Sequence, residues 1–150
     1  MSIHQHVTDL ATSAKQASAS LANSPVSVRN AALQAIALQL KVSKTALLAA
    51  NAEDLLSAKK KGLDLALIDR RELTDARIEA MLTSLSIVQA LPDPIGGVED
   101  LRAMASGMQV GKMRVPWGLI VSIYESRPNV TIDAGSLGFK SGKAVLRGGG

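Results

Sequence analysis

The stretch GLIVSIYESRPNVTIDAGSLGFKSGKAVLRGGG, residues 118–150, decides the fold. Its opening run, GLIVSIY, is rich in branched apolar residues, the composition of a strand buried on both faces. NVTIDAGSLGFKSG then sets two stripes at helical spacing, Val130/Ala134/Leu137 and Ile132/Gly135/Phe139. Gly135 and Gly138 each weaken a helix by about 1 kcal/mol relative to Ala, yet they let a backbone approach a sheet closely. Gly142 ends the helix and KAVLR begins a second short strand. Strand, helix and strand in this order form a βαβ unit, which predicts a parallel pair with a right-handed crossover.

Ligands of such sheets bind at the carboxyl ends of the strands, beside the N-terminus of the following helix. Glu125, Ser126, Arg127, Pro128 and Asn129 interrupt the apolar pattern at that position. Asn129 has two readings of equal standing. Its side chain caps the helix by accepting from the amide of Thr131 or Ile132, or its amide points outward and donates to a developing oxyanion. Arg127 suits a phosphate or carboxylate fork, although a surface ion pair with Glu125 is the simpler reading. Gly148, Gly149 and Gly150 after Arg147 complete neither a GxGxxG nor a P-loop fingerprint.

Upstream, residues 1–92 read as helices. Val7, Leu10, Ala11, Ala14, Ala17 and Leu21 form one apolar stripe. Ser24-Pro25 opens a second helix with Leu33, Ile36, Ala37 and Leu40 inward, followed by Leu47 and Leu48. NAEDLLSAKKKG places Glu53 and Asp54 early and three lysines late, matching the helix dipole, with Gly62 as its cap. Thr74 starts a long helix facing inward through Ile78, Met81, Leu82, Leu85 and Val88, and LPDPIGG stops it. Residues 96–116 read as a short strand and linker, the exposed strand falling in MQVGKMRVPWG (residues 108–118) with Gly111 as a bulge.

The chain is 150 residues long, 47% hydrophobic and 20% charged, so a real core needs neither disulfides nor metals. With only Trp117, Tyr124 and Phe139 as aromatics and a net charge of +4, stacking platforms for single strands are nearly lacking, and no nucleic acid is expected. There is no cysteine, which excludes a thiolate metal site or cysteine nucleophile within these residues. His4 and His6, near a terminus expected to fray, lack companion ligands, so no metal is expected. No apolar run is long enough to cross a bilayer and the first ten residues lack a secretory pattern, which makes the cytoplasm the expected location.

VPWGLIVSIYESRPNVTIDAGSLGFKSGKAVLRGGG resembles the corresponding segment of the gamma-glutamyl phosphate reductase (glutamate-5-semialdehyde dehydrogenase) family, divergent members of the aldehyde dehydrogenase superfamily. AKQAS, NAEDL, LIDRREL, LPDPIG and VGKMRVP follow in the family's order, so the likeness spans essentially the whole chain. The resemblance implies an α/β fold: a helical N-terminal layer followed by the first βαβ of an aldehyde-dehydrogenase-like Rossmann cofactor domain, truncated. On that reading residues 1–150 are a partial cofactor-binding domain, with residues 117–150 as its βαβ unit and the catalytic domain absent. It further implies the second step of proline biosynthesis, reduction of L-glutamyl 5-phosphate by NADPH to L-glutamate 5-semialdehyde and phosphate. A cysteine thiolate attacks the acyl phosphate in that scheme, and Asn129 matches the asparagine that donates to the tetrahedral oxygen. Tyr124, Glu125, Ser126, Arg127, Pro128, Arg147, Gly148 and Gly149 would meet the cofactor, Arg147 at its ribose or 2′-phosphate. A homo-oligomer associated with glutamate 5-kinase is implied for the parent enzyme.

Two departures from the family are visible. KAVLR is one apolar residue shorter than the family's strand, and such a deletion flips the side chains that follow unless a bulge absorbs it. The resemblance also implies a parent much longer than this chain, with its nucleophilic cysteine beyond Gly150, so the chain alone is expected to be inactive. Alternative readings are an inactive or repurposed helical interaction fragment, and a general NAD-dependent aldehyde dehydrogenase. Against the latter, Arg127 stands where ordinary members carry Trp.

Overall fold

The helical signals of the first ninety residues resolve into α1 (Ile3–Ala22), α2 (Val26–Val42), α3 (Lys44–Lys60), α4 (Leu65–Arg71) and α5 (Asp75–Ala90). The hairpin β1 (Val98–Ala103) and β2 (Gln109–Met113) follows, and then β3 (Leu119–Ile123), α6 (Pro128–Lys140) and β4 (Ala144–Gly148). The computed structural model describes residues 2–125 and 127–148, so Ser126, Gly149 and Gly150 lie outside the described residues.

β3 and β4 pair in parallel with α6 between them, as the opening stretch predicts. Their register runs without a shift from Leu119 opposite Ala144 to Ile123 opposite Gly148, so the shortened KAVLR strand is accommodated without a bulge. α6 packs on β4 and on α5 and α2, while α1 lies against β4 and β3. The core is Leu33, Leu85 and Val88, joined by Ala37, Leu40, Ile132 and Phe139. Ile78, Met81, Leu85 and Val88 of α5 are all buried, which is the face its periodicity predicts.

Two helix ends follow the glycine signals closely. At Gly62, φ is +73°, its amide donates to Lys59 O and the amide of Leu63 to Ala58 O, the paired bonds of a Schellman cap. Gly142 repeats the arrangement at the end of α6, with φ +69° and bonds from Gly142 to Phe139 O and from Lys143 to Gly138 O.

Several expectations are corrected. The buried side of α1 passes through Ser18, whose hydroxyl donates to Lys15 O, and not through Ala17; Val7 and Leu10 are exposed. α1 begins at Ile3, so His4 and His6 are exposed residues of its first turns, not of a frayed end. Ile36 is exposed, and Arg29 takes the buried position instead. α3 starts at Lys44, seven residues before Asn51, because Ser43 separates it from α2; Leu47 therefore belongs to α3 and is exposed. β1, absent from the sequence reading, pairs antiparallel with β2. The bulge lies on β1, where Asp100 and Leu101 face Gly111 and Asp100 takes φ +55°. Gly111 serves close approach: a Cβ there would lie 3.0 Å from Val98 Cγ1 and 3.2 Å from Glu99 O. β3 is not buried on both faces: Val121 is 60% and Ile123 81% exposed. Among the described residues only β4 pairs with it, so its other edge and part of its surface stay open.

Candidate functional site

β3 ends at Ile123, and the chain turns into α6 through Tyr124, Glu125 and Arg127. The helix starts two residues earlier than the Asn129 cap requires. Arg127 is the N-cap with φ −111°, Pro128 occupies the first turn, and no side chain caps the helix by hydrogen bonding. Proline explains the shift: its fixed φ suits the first helical position, where no amide is needed. Asn129 therefore sits inside the first turn with its side chain exposed, and the capping reading is corrected.

The expected Arg127–Glu125 ion pair is likewise replaced. The Glu125 carboxylate meets Arg70 Nη1 of α4 at 3.3 Å, tying the turn to a helix 55 residues away in sequence. Tyr124 shares a 2.8 Å hydroxyl hydrogen bond with Thr131, and the Arg147 guanidinium lies 6.0 Å from its ring centroid. That stacking, with the unbroken β3–β4 register, defines the direction of Arg147 that the short strand left open.

Two clefts open here. The first, about 290 Å³, is bordered by Asp69 and Arg70 of α4, Arg77 of α5, and Arg127 and Asn129 of the turn. Ala80, Met81 and Pro128 give it an apolar wall. The second, about 370 Å³, joins Arg147 at the end of β4 to Lys61, Arg71, Asn51 and Asp54. α4 contributes to both, Arg70 to one and Arg71 to the other. The site residues thus divide: Arg127, Pro128 and Asn129 share one cleft, and Arg147 lines the other, with Tyr124 beneath its guanidinium.

The helical layer's contribution to these clefts was not foreseen. Asn51 of α3 holds the end of α4 and its connection to α5, donating from Nδ2 to Arg71 O at 2.9 Å and accepting from the Leu73 amide at 2.7 Å. Arg77 donates through Nη1 to Asp69 O and Glu72 O, both at 2.5 Å, while its Nη2 stays 3.5 Å from the Asp69 carboxylate. LIDRREL, with its paired arginines and acidic neighbours in a short helix, was the available signal. It carries no periodicity that says which rim it reaches. Among the described residues no cluster of His, Cys, Asp and Glu could hold a metal, and no helix is long and apolar enough to cross a membrane.

No family model matches the chain. Solved structures do. Gamma-glutamyl phosphate reductase from Thermotoga maritima superposes with a TM-score of 0.91 at 36% identity, over 95% of this chain and 34% of that one. The gamma-glutamyl phosphate reductase from Saccharomyces cerevisiae gives 0.91 at 33% identity, over 100% of this chain and 38% of its own. The chain thus spans little more than a third of the proteins it matches. Over at least 95% of its length it is built like the N-terminal part of gamma-glutamyl phosphate reductase.

Proposed function

We propose that the chain supplies the acyl-phosphate and cofactor clefts of a cytoplasmic, homo-oligomeric reductase of proline biosynthesis. The reaction is NADPH-dependent conversion of L-glutamyl 5-phosphate to L-glutamate 5-semialdehyde and phosphate. The observation that carries the reading is Asn129: exposed in the first turn of α6, it borders a cleft with three guanidiniums. An amide held on a helix can donate to the acyl oxygen as negative charge develops there, without reorganising at the moment of reaction. Arg127 beside it neutralises the departing phosphate.

The second cleft fits a phosphate-bearing dinucleotide by its chemistry. Lys61, Arg71 and Arg147 stand against the single carboxylate of Asp54, a surplus of positive charge suited to a 2′-phosphate. NADPH bound there would supply the hydride. Tyr124 orients Arg147 by stacking under its guanidinium. The chain has no thiol, so a nucleophile for this chemistry comes from outside these 150 residues.

The test is a chimera in which this chain replaces the matching third of the Thermotoga maritima protein. The chimera is expected to reduce glutamyl phosphate with NADPH. Asn129→Ala should lower its kcat by about a hundredfold or more, the usual loss for one oxyanion donor. A defect confined to KM would remove Asn129 from that role.

A further inference from the structure

The first cleft holds more charged groups than an acyl phosphate alone requires. Arg127 and Asn129 border it from α6 and its approach, and Arg70 and Arg77 from the helical layer, with Asp69 as the one carboxylate among its lining residues. Asp69 is only loosely engaged. Its carboxylate oxygens are both 3.5 Å from Arg77 Nη2, and its side chain is 70% exposed. Arg70 is similarly held by a single 3.3 Å contact to Glu125. Arg77, by contrast, is anchored to two backbone carbonyls, so the guanidinium is a fixed feature of the wall.

We infer that the α4–α5 side of this cleft recognises the α-amino and α-carboxylate groups of the substrate. Arg70 and Arg77 receive the carboxylate and Asp69 the ammonium. The assignment rests on the acyl-phosphate reading of Asn129 and extends it to substrate specificity. Three guanidiniums against one carboxylate leave a surplus of two positive charges. An amino-acid acyl phosphate brings a zwitterionic head and a phosphate of about −2, which matches that surplus. Ala80, Met81 and Pro128 supply an apolar wall for the methylenes between the two polar ends. Asp69 is the discriminating group, because an acyl phosphate that keeps the distal carboxylate but lacks the amine would leave a carboxylate facing a carboxylate.

The experiment is an NMR titration of the whole 150-residue chain with L-glutamate, glutarate and 4-aminobutyrate, read at the side-chain NH signals of Arg70, Arg77 and Asn129. L-Glutamate should move these signals and bind about tenfold or more tightly than glutarate, which lacks the amine, and 4-aminobutyrate, which lacks the α-carboxylate. Asp69→Asn should abolish the preference for L-glutamate over glutarate, and Arg70→Gln should weaken both while leaving the backbone spectrum intact. Glutarate binding as tightly as L-glutamate, or no response at Arg70 and Asn129, overturns the assignment. A parallel titration with NADPH, read at Arg147 and Tyr124, separates the two readings. A cofactor response without a glutamate response defeats the amino-acid cleft and leaves the reductase reading. A glutamate response without a cofactor response supports the cleft and counts against the reductase.

Discussion

Gly135 and Gly138 lie one turn apart in α6, and replacing each with Ala should move stability in opposite directions. In a helix interior, Gly→Ala gains up to about 1 kcal/mol from backbone entropy alone. At Gly135 a Cβ meets nothing within 4 Å, so that gain should appear whole. At Gly138 the new carbon would lie 2.2 Å from Val145 Cγ2 on β4, more than 1 Å inside the 3.4 Å where ordinary contact begins. Retreat is blocked, because Lys143 O stands at 3.6 Å and Val145 Cβ at 3.7 Å, and a β-branched side chain has little freedom to rotate away. Overpacking of this kind costs about 1–3 kcal/mol. Against the propensity gain, Gly138→Ala should destabilise by up to about 2 kcal/mol and Gly135→Ala should stabilise by up to about 1 kcal/mol. Urea unfolding followed by helical circular dichroism reads both. With an m-value of about 2 kcal/mol/M, the midpoints should move by up to about 1 M down for Gly138→Ala and up to about 0.5 M up for Gly135→Ala. Val145→Ala should cost less when combined with Gly138→Ala than in the parent, with a coupling of about 1 kcal/mol or more. If both glycine substitutions raise the midpoint alike, the close approach of α6 to β4 is refuted.

Other expectations follow from single contacts. Asp93 accepts from Arg29 Nη2 at 2.6 Å through both carboxylate oxygens, and Arg29 is buried; Asp93→Ala should destabilise by about 2–4 kcal/mol in urea melts by leaving a buried guanidinium without its counter-ion, with only the Nη1 bond to Ser24 O remaining. Asn51→Ala removes both bonds that clamp the α4–α5 junction and should cost about 1–3 kcal/mol, with faster amide exchange at Leu73 as the local readout. Lys44 has its pKa raised above 10.5, first by its hydrogen bond to Asp75 and then by that to Glu79. Because the folded value exceeds the unfolded one, its contribution is complete below the ordinary lysine pKa and fades as pH climbs through the raised value. NMR titration of the Nζ should therefore place Lys44 above a free lysine, with Asp75→Asn lowering it more than Glu79→Gln.

The fold was legible where one short window contains the whole cause. The parallel β3–α6–β4 unit follows from two branched runs, a helical stripe and Gly142, all within a single stretch. The inward face of α5 follows from period alone. β1 was missed because VEDLRA interleaves charges with few apolar residues and leaves every residue exposed, so no burial pattern marks it. Its pairing comes from the hairpin partner. Arg29 was missed for a related reason: a long cation on a helix reads as solvated unless Asp93, 64 residues away, is known to reach it. Gly135 and Gly138 looked equivalent, and only the angular position of α6 on the sheet distinguishes them.

The candidate site divides along the same line. The turn containing Arg127 and Asn129 was read from local grammar, although Pro128 moved the helix start and with it the cap. Asp69, Arg70 and Arg77 were not read as site residues, since LIDRREL has no local feature that points it toward the carboxyl end of β3. What brings α4 there is a set of nonlocal bonds: Asn51 to Arg71 O and the Leu73 amide, and Arg70 to Glu125. Arg77, bonded to the backbone at Asp69 and Glu72, fixes the short helix from its other side. Held from two sides at its C-terminal end, α4 can present neighbouring arginines to different clefts, Arg70 toward Asn129 and Arg71 toward Arg147. A substitution that loosens this helix, such as Asn51→Ala, should therefore weaken L-glutamate binding in one cleft and NADPH binding in the other together. Arg70→Gln should affect the first alone, and that contrast distinguishes displacement of the helix from loss of one charge.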